Sequence, residues 1–169
     1  PVDILHDGFD CVIRTGASPE DGVIARPLGK LTVVNCASPH YLTRFGYPQS
    51  PDDLTSHAIV RYTPHLGVHP LGFEVASVNG VQWFKSGGML TVNSSENYLT
   101  AGLAGLGIIQ IPRIAVREAL RAGRLIEVLP GYRAEPLSLS LVYPQRRELS
   151  RRVNLFMQWL AGVMKEYLD

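Results

Sequence analysis

The sequence predicts an α/β protein with a mainly parallel sheet. Short β-like runs alternate with short helix-like runs along the whole chain, the pattern of layered α/β folds. The β-like runs are apolar at consecutive positions, as in strands buried on both faces. Size agrees: 169 residues, 46% hydrophobic and 18% charged, suit one domain or one domain split into two small lobes. Such a chain is too apolar to be disordered.

The elements follow in order. Phe9 to Arg14 reads as a strand stopped by Thr15-Gly16, and Leu31 to Cys36 as another. Ser38 can cap a helix with Pro39 at its first position, where the missing N–H costs nothing, and Gly46 is its stop. Ser50-Pro51 repeats the device, with Asp52 and Asp53 matching the helix dipole. Ala58 to Tyr62 reads as a strand. Phe73 to Ser86 reads as a hairpin turning at Asn79-Gly80. Gly88 to Asn93 is a further strand, and Ser94-Ser95-Glu96 opens a helix carrying Leu99, Leu103 and Leu106 at helical spacing. Ile108 to Ile111 is a buried strand cut by Pro112, and Arg113 to Ala122 a helix stopped by Gly123. Strands over Leu125 to Leu129 and Leu137 to Tyr143 precede a last helix, capped by Ser150 with a broad apolar stripe.

Several chemistries find little support. A net charge of +1 argues against a nucleic-acid coat or a polybasic membrane binder. Neither a signal peptide nor an apolar run of about 20 residues is present, so no membrane partner is expected. Cys11 and Cys36 each lie in apolar runs without a CxxC, which reads as two buried thiols in a reducing cytosol. His65 and His69 flank Gly67 between prolines, so they read as a loop and not a metal pair; no metal and no cofactor is expected. No GxSxG elbow supports nucleophilic catalysis. Gly102, Gly105 and Gly107 end a helix where a phosphate loop would open one, and read as close packing. Arg146, Arg147, Arg151 and Arg152 read as a solvated helix start.

A small-anion site is better supported. Ser94, Ser95 and Glu96 open a helix directly after a strand, and free N–H groups there favour a carboxylate or sulfate. Simple N-capping is the alternative reading of these serines. The strand end Arg14-Thr15-Gly16 offers a second edge, and Arg61 a charge partner. Ligands of open α/β sheets sit at such carboxyl ends.

The motifs run VDILHDGFDCVIRTG, IARPLGKLTVVNCASPHYL, SPDDLTSHAIVRY, LTVNSSENYLTAGLAGLGIIQIP, REALRAGRLIEVLP and LSLVYPQRRELSRRVNLFMQWL. Together they resemble the C-terminal effector-binding domain of LysR-type transcriptional regulators, over essentially the whole chain. The resemblance implies two α/β lobes like a type II periplasmic binding protein, joined by two crossover strands. It places 1–36 and 137–169 in the first lobe and 37–136 in the second. It further implies a small effector between the lobes, touching Arg14, Thr15, Gly16, Arg61, Tyr62, Ser94, Ser95 and Gln110. A cytoplasmic homo-oligomer, dimer or tetramer, is implied, contacting RNA polymerase, and an enzyme is not. DNA would be bound only through a winged helix-turn-helix absent here. The first lobe's opening strands and helices are also expected to be missing, leaving an exposed apolar edge or face. An exported solute-binding protein of the same fold is the rival.

Overall fold

The computed structural model describes residues 8–16, 22–63, 72–145 and 150–168. The chain forms two compact units, one from 1–32 with 136–169 and one from 33–135. His65, His69, Arg146 and Arg147 lie outside the described residues.

The first unit is built on a three-stranded antiparallel sheet of β1 (Val12–Thr15), β10 (Leu137–Pro144) and β2 (Val23–Leu31), with β10 central. β2 is not foreseen by the sequence, because Pro27 and Gly29 interrupt its pattern. The register shows how it forms nonetheless. Ser140 faces Pro27 and Leu139 faces Gly29, so Leu28 is an extra residue in a bulge at the sheet edge, one of the few places that tolerate a proline. The closing helix α4 (Arg151–Met164) is capped as expected, the Val153 N–H donating to Ser150 Oγ at 3.3 Å. Met157 is buried, whereas Leu155, Phe156, Trp159 and Val163 stay exposed, together with Ile13 and Ile24 of the sheet.

The second unit has β3 (Val33–Ala37) between β8 (Ile109–Pro112) and β9 (Ile126–Glu127), both antiparallel to it. β4 (Ala58–Tyr62) runs parallel to β7 (Gly87–Val92). Ile108 joins the two sheets: its N–H donates to Ala58 O at 3.0 Å and its carbonyl accepts from Val60 N at 3.1 Å. Gly107 permits this seam, since a Cβ there would sit 2.6 Å from Ala58 O.

Mainly parallel pairing is therefore corrected: among the described strands only β4 with β7 is parallel, with one parallel bridge from Ile59 to Ile108. Consecutive apolar residues report burial on both faces and carry no information about strand direction. The burial itself is as expected. Val34, Cys36, Val60, Ile109 and Ile111 face one core, with α2 (Ser95–Leu103) and α3 (Arg113–Arg121). Ala37, Ile59 and Ile108 face another, with Tyr41, Leu42 and Leu54. Helix α1 (Pro39–Phe45) begins at Ser38, whose Oγ accepts from Tyr41 N at 3.2 Å, and stops at Gly46 with φ of 80°. Pro51–Ser56 is a 3-10 helix. Asp53 Oδ2 accepts from Gln49 N at 2.8 Å and Ser50 N at 2.9 Å. These bonds hold the Asp53 carboxyl below its ordinary pKa. The hairpin forms between β5 (Phe73–Ser77) and β6 (Gly80–Phe84), but its two-residue loop is Val78-Asn79, one position before the expected Asn79-Gly80, because Ser77 pairs with Gly80 and draws the glycine into the strand.

Candidate functional site

Parallel pairing of β4 and β7 sets Arg61 beside Thr91 and Tyr62 beside Val92, so the two carboxyl ends lie side by side. Asn93 and Ser94 then lead into α2. Ser94 Oγ accepts from Asn97 N at 3.5 Å and Ser94 O from Tyr98 N at 2.9 Å. Ser95 and Glu96 lie exposed in the first turn. The exposed Tyr62 ring packs 5.7 Å from the buried Tyr98 ring, which ties β4 to the opening of α2. Tyr62, Ser94 and Ser95 are thereby brought together.

Arg61 and Gln110 lie elsewhere. The half-buried Arg61 side chain reaches back to the start of β7, where Nη2 donates to Ser86 O at 3.0 Å. A Cβ on Gly88 would stand 2.8 Å from its Cζ, so the guanidinium rests directly on that glycine. Gln110 serves as an internal clamp. Its backbone N–H donates to Tyr98 Oη at 2.8 Å, and its Nε2 donates to Asn35 Oδ1 at 2.9 Å and Glu74 O at 2.8 Å. Oε1 accepts from Glu74 N at 2.9 Å. The side-chain amide thus pairs with the backbone of β5 as a strand would. Burial pushes the Tyr98 hydroxyl well above its ordinary value, so it stays protonated.

Sequence reasoning missed Asn35, the hub behind this clamp. It is fully buried, and Nδ2 donates to Leu129 O at 3.2 Å and Tyr132 O at 2.9 Å. Leu129 has φ of 49°, unusual for a branched side chain, and the Asn35 bond holds its carbonyl in place. The available signal was a lone amide inside the apolar run of β3, which had to find partners.

On the first unit, Arg14 and Thr15 end β1 opposite Ser140 and Leu139, and Gly16 N donates to Ser138 O at 2.9 Å. Arg14 is half-buried; Thr15 and Gly16 are exposed. Both cysteines are free. Burial, then Glu127, pushes the Cys36 thiol up to about 12, and burial also raises Cys11. Neither has the lowered pKa of a reactive nucleophile. Among the described residues no cluster fit for a metal ion occurs and no helix is long and apolar enough to cross a membrane.

The model of the LysR substrate binding domain matches residues 1–165. The chain belongs to that family. As a LysR domain it is 99% identical, over all of its 169 residues, to the HTH-type transcriptional regulator YhjC of Escherichia coli K12, of which it covers 56%. It is 33% identical over 165 residues to an HTH-type transcriptional repressor of Pseudomonas aeruginosa, 96% of this chain and 51% of that protein. The activator AaeR of E. coli K12 shares 30% over 166 residues, 97% of this chain and 52% of AaeR. The chain thus spans about half the length of the curated relatives it matches. In structure it resembles the regulatory domain of CrgA from Neisseria meningitidis, a LysR-type regulator, with a TM-score of 0.81 and 24% identity. That match covers 95% of this chain and 78% of the CrgA domain. The fold is accordingly the two-lobed α/β fold of LysR regulatory domains.

Proposed function

We propose that this chain is the effector-sensing part of a longer LysR-type transcriptional regulator, and that a small organic or inorganic anion binds at the carboxyl ends of β4 and β7. One observation carries the reading: a parallel strand pair ends beside the capped start of α2, with Tyr62, Ser94 and Ser95 gathered there. Free N–H groups and the helix dipole favour an anion, and ligands of open α/β sheets collect at such ends. The Ser94, Ser95 and Tyr62 hydroxyls add donors. Glu96, in the same turn, disfavours a second negative charge on the ligand. The names of the relatives support regulation as the purpose of binding. Arg61 and Gln110 act in this proposal by supporting the site, since their side chains are engaged at Ser86 and at Asn35 and Glu74. Arg14, Thr15 and Gly16 enter it on the family resemblance alone.

An effector alters the regulator only through its difference in affinity for two states. The states belong to a cytoplasmic homo-oligomer that binds DNA through its N-terminal domain and contacts RNA polymerase. Turnover is not part of the proposed activity. Calorimetric titration of the intact regulator with acetate, benzoate and sulfate tests the reading. At least one anion is expected to bind. Ser94→Ala and Tyr62→Phe are each expected to weaken it about tenfold, the loss of one hydrogen bond to a charged group. Affinities unchanged in both variants would remove the site, and an unchanged Arg14→Ala would remove the first unit's contribution.

A further inference from the structure

Among the described residues, the hairpin β5–β6 has one closed edge and one open edge. On the closed side, Glu74 N donates to Gln110 Oε1, the Glu74 carbonyl accepts from Gln110 Nε2, and Ala76 N donates to Arg133 O at 2.8 Å. The backbone groups of Glu74 and Ala76 therefore point away from β6. Opposite them in the antiparallel register stand Trp83 and Val81. In such a pair, residues facing each other point their backbone groups alike, both inward or both outward. Hence the N–H and C=O of Val81 and Trp83 point out along the free side of β6, where no described strand pairs with them.

An open edge invites another strand unless charge, proline or a bulge blunts it. The edge strand β2 carries Arg26, Pro27, Lys30 and a bulge. β6 reads Gly-Val-Gln-Trp-Phe with none of these, and leaves Trp83 45% and Val81 37% exposed.

We propose that β6 pairs antiparallel with β6 of a second copy of this chain, about a two-fold axis through Gln82. The phase of the backbone permits this register. A two-fold axis at Gln82 sets Val81 of one copy against Trp83 of the other, twice over. Those are the two residues whose backbone groups face outward, so each facing pair exchanges both hydrogen bonds. Their side chains share one face, and each seam position joins an aromatic to a β-branched residue, a favourable cross-strand combination. Gly80 meets Phe84 and Asn79 meets Lys85, so no like charges oppose. An isologous contact of this kind closes on itself and leaves no second open edge. The result is a four-stranded sheet, β5–β6 continued into the partner's β6–β5.

The axis places the two copies of residue 82 directly opposite in a non-hydrogen-bonded pair, about 4.5 Å between Cα atoms, within the disulfide range of about 4.4–6.8 Å. The test introduces Gln82→Cys into the intact regulator with Cys11→Ser, Cys36 being buried, and applies oxidised glutathione. Covalently joined chains are expected as the main species, at least tenfold above Val78→Cys at the hairpin tip. Adding Val81→Lys is expected to reduce the joined species at least tenfold while amide exchange in the rest of the domain stays unchanged. Absence of cross-linking from Gln82→Cys, meaning that another segment or a different partner covers the edge, overturns the proposal. So does equal cross-linking from Val78→Cys, or a Val81→Lys variant that cross-links as before.

Discussion

Replacing Gln110 by alanine removes the side-chain clamp between β5 and β3 and leaves the backbone bond to Tyr98 of α2 in place. The side chain makes three hydrogen bonds, Nε2 to Asn35 Oδ1 and Glu74 O, and Oε1 from Glu74 N. A typical internal hydrogen bond contributes about 1 kcal/mol net, so the three together suggest a loss of about 3 kcal/mol. The loss is not shared evenly, because Asn35 is fully buried and its Oδ1 would be left without a partner. Asn35 cannot turn its amide to compensate without giving up both Leu129 O and Tyr132 O. Gln110→Glu sharpens the test. It keeps the acceptor for Glu74 N but sets a second oxygen against two others, so it is expected to cost at least as much at neutral pH and less when the carboxyl is protonated. Urea denaturation gives the stability, and amide exchange at Glu74 and Ala76 reports whether β5 has loosened. A cost under about 0.5 kcal/mol for Gln110→Ala, the low end for a single bond, together with unchanged exchange at Glu74, would refute the clamp.

Gly107→Ala is expected to destabilise the second unit by about 2 kcal/mol or more, since its Cβ would meet the Ala58 carbonyl at 2.6 Å and backbone there cannot swing aside. Thermal denaturation reads this, and a change under about 0.5 kcal/mol would mean the seam is softer than drawn. His57 is buried, its Nδ1 is 3.1 Å from Tyr41 Oη, and desolvation holds its pKa below the ordinary 6.5. The unfolded chain therefore takes up a proton first as pH falls. Stability from this group is present above about pH 6.5 and declines below it; His57→Gln is expected to flatten that slope, and an unaltered profile would assign it to another group. Native alkylation at pH 8 is expected to spare Cys36, its thiol pushed up to about 12 and fully buried. Labelling of Cys36 as fast as in urea would contradict that burial.

Local chemistry was legible in the residues themselves. Ser38, Ser94 and Ser150 cap helices because a short hydroxyl beside a helix start satisfies an N–H within three residues, and each does so here. Asn79-Gly80 marks its hairpin for an equally local reason, although the loop itself falls one position earlier, at Val78-Asn79. The apolar runs of β3, β4 and β8 foretold burial on both faces, and the ordered motifs foretold the family. Contacts far apart in the sequence were decided only by the tertiary structure. Strand direction depends on which partner arrives, so the expected parallel pairing held for β4 and β7 alone among the described strands. β2 exists because β10 offers it a full set of hydrogen bonds and the bulge at Leu28 absorbs its proline. The same distinction divides the candidate site. Ser94 and Ser95 are set by their own helix, whereas Arg61 turns to Ser86 and Gln110 to Asn35 and Glu74. A residue type specifies what a side chain can bond, and the packing of remote segments specifies which partner it meets.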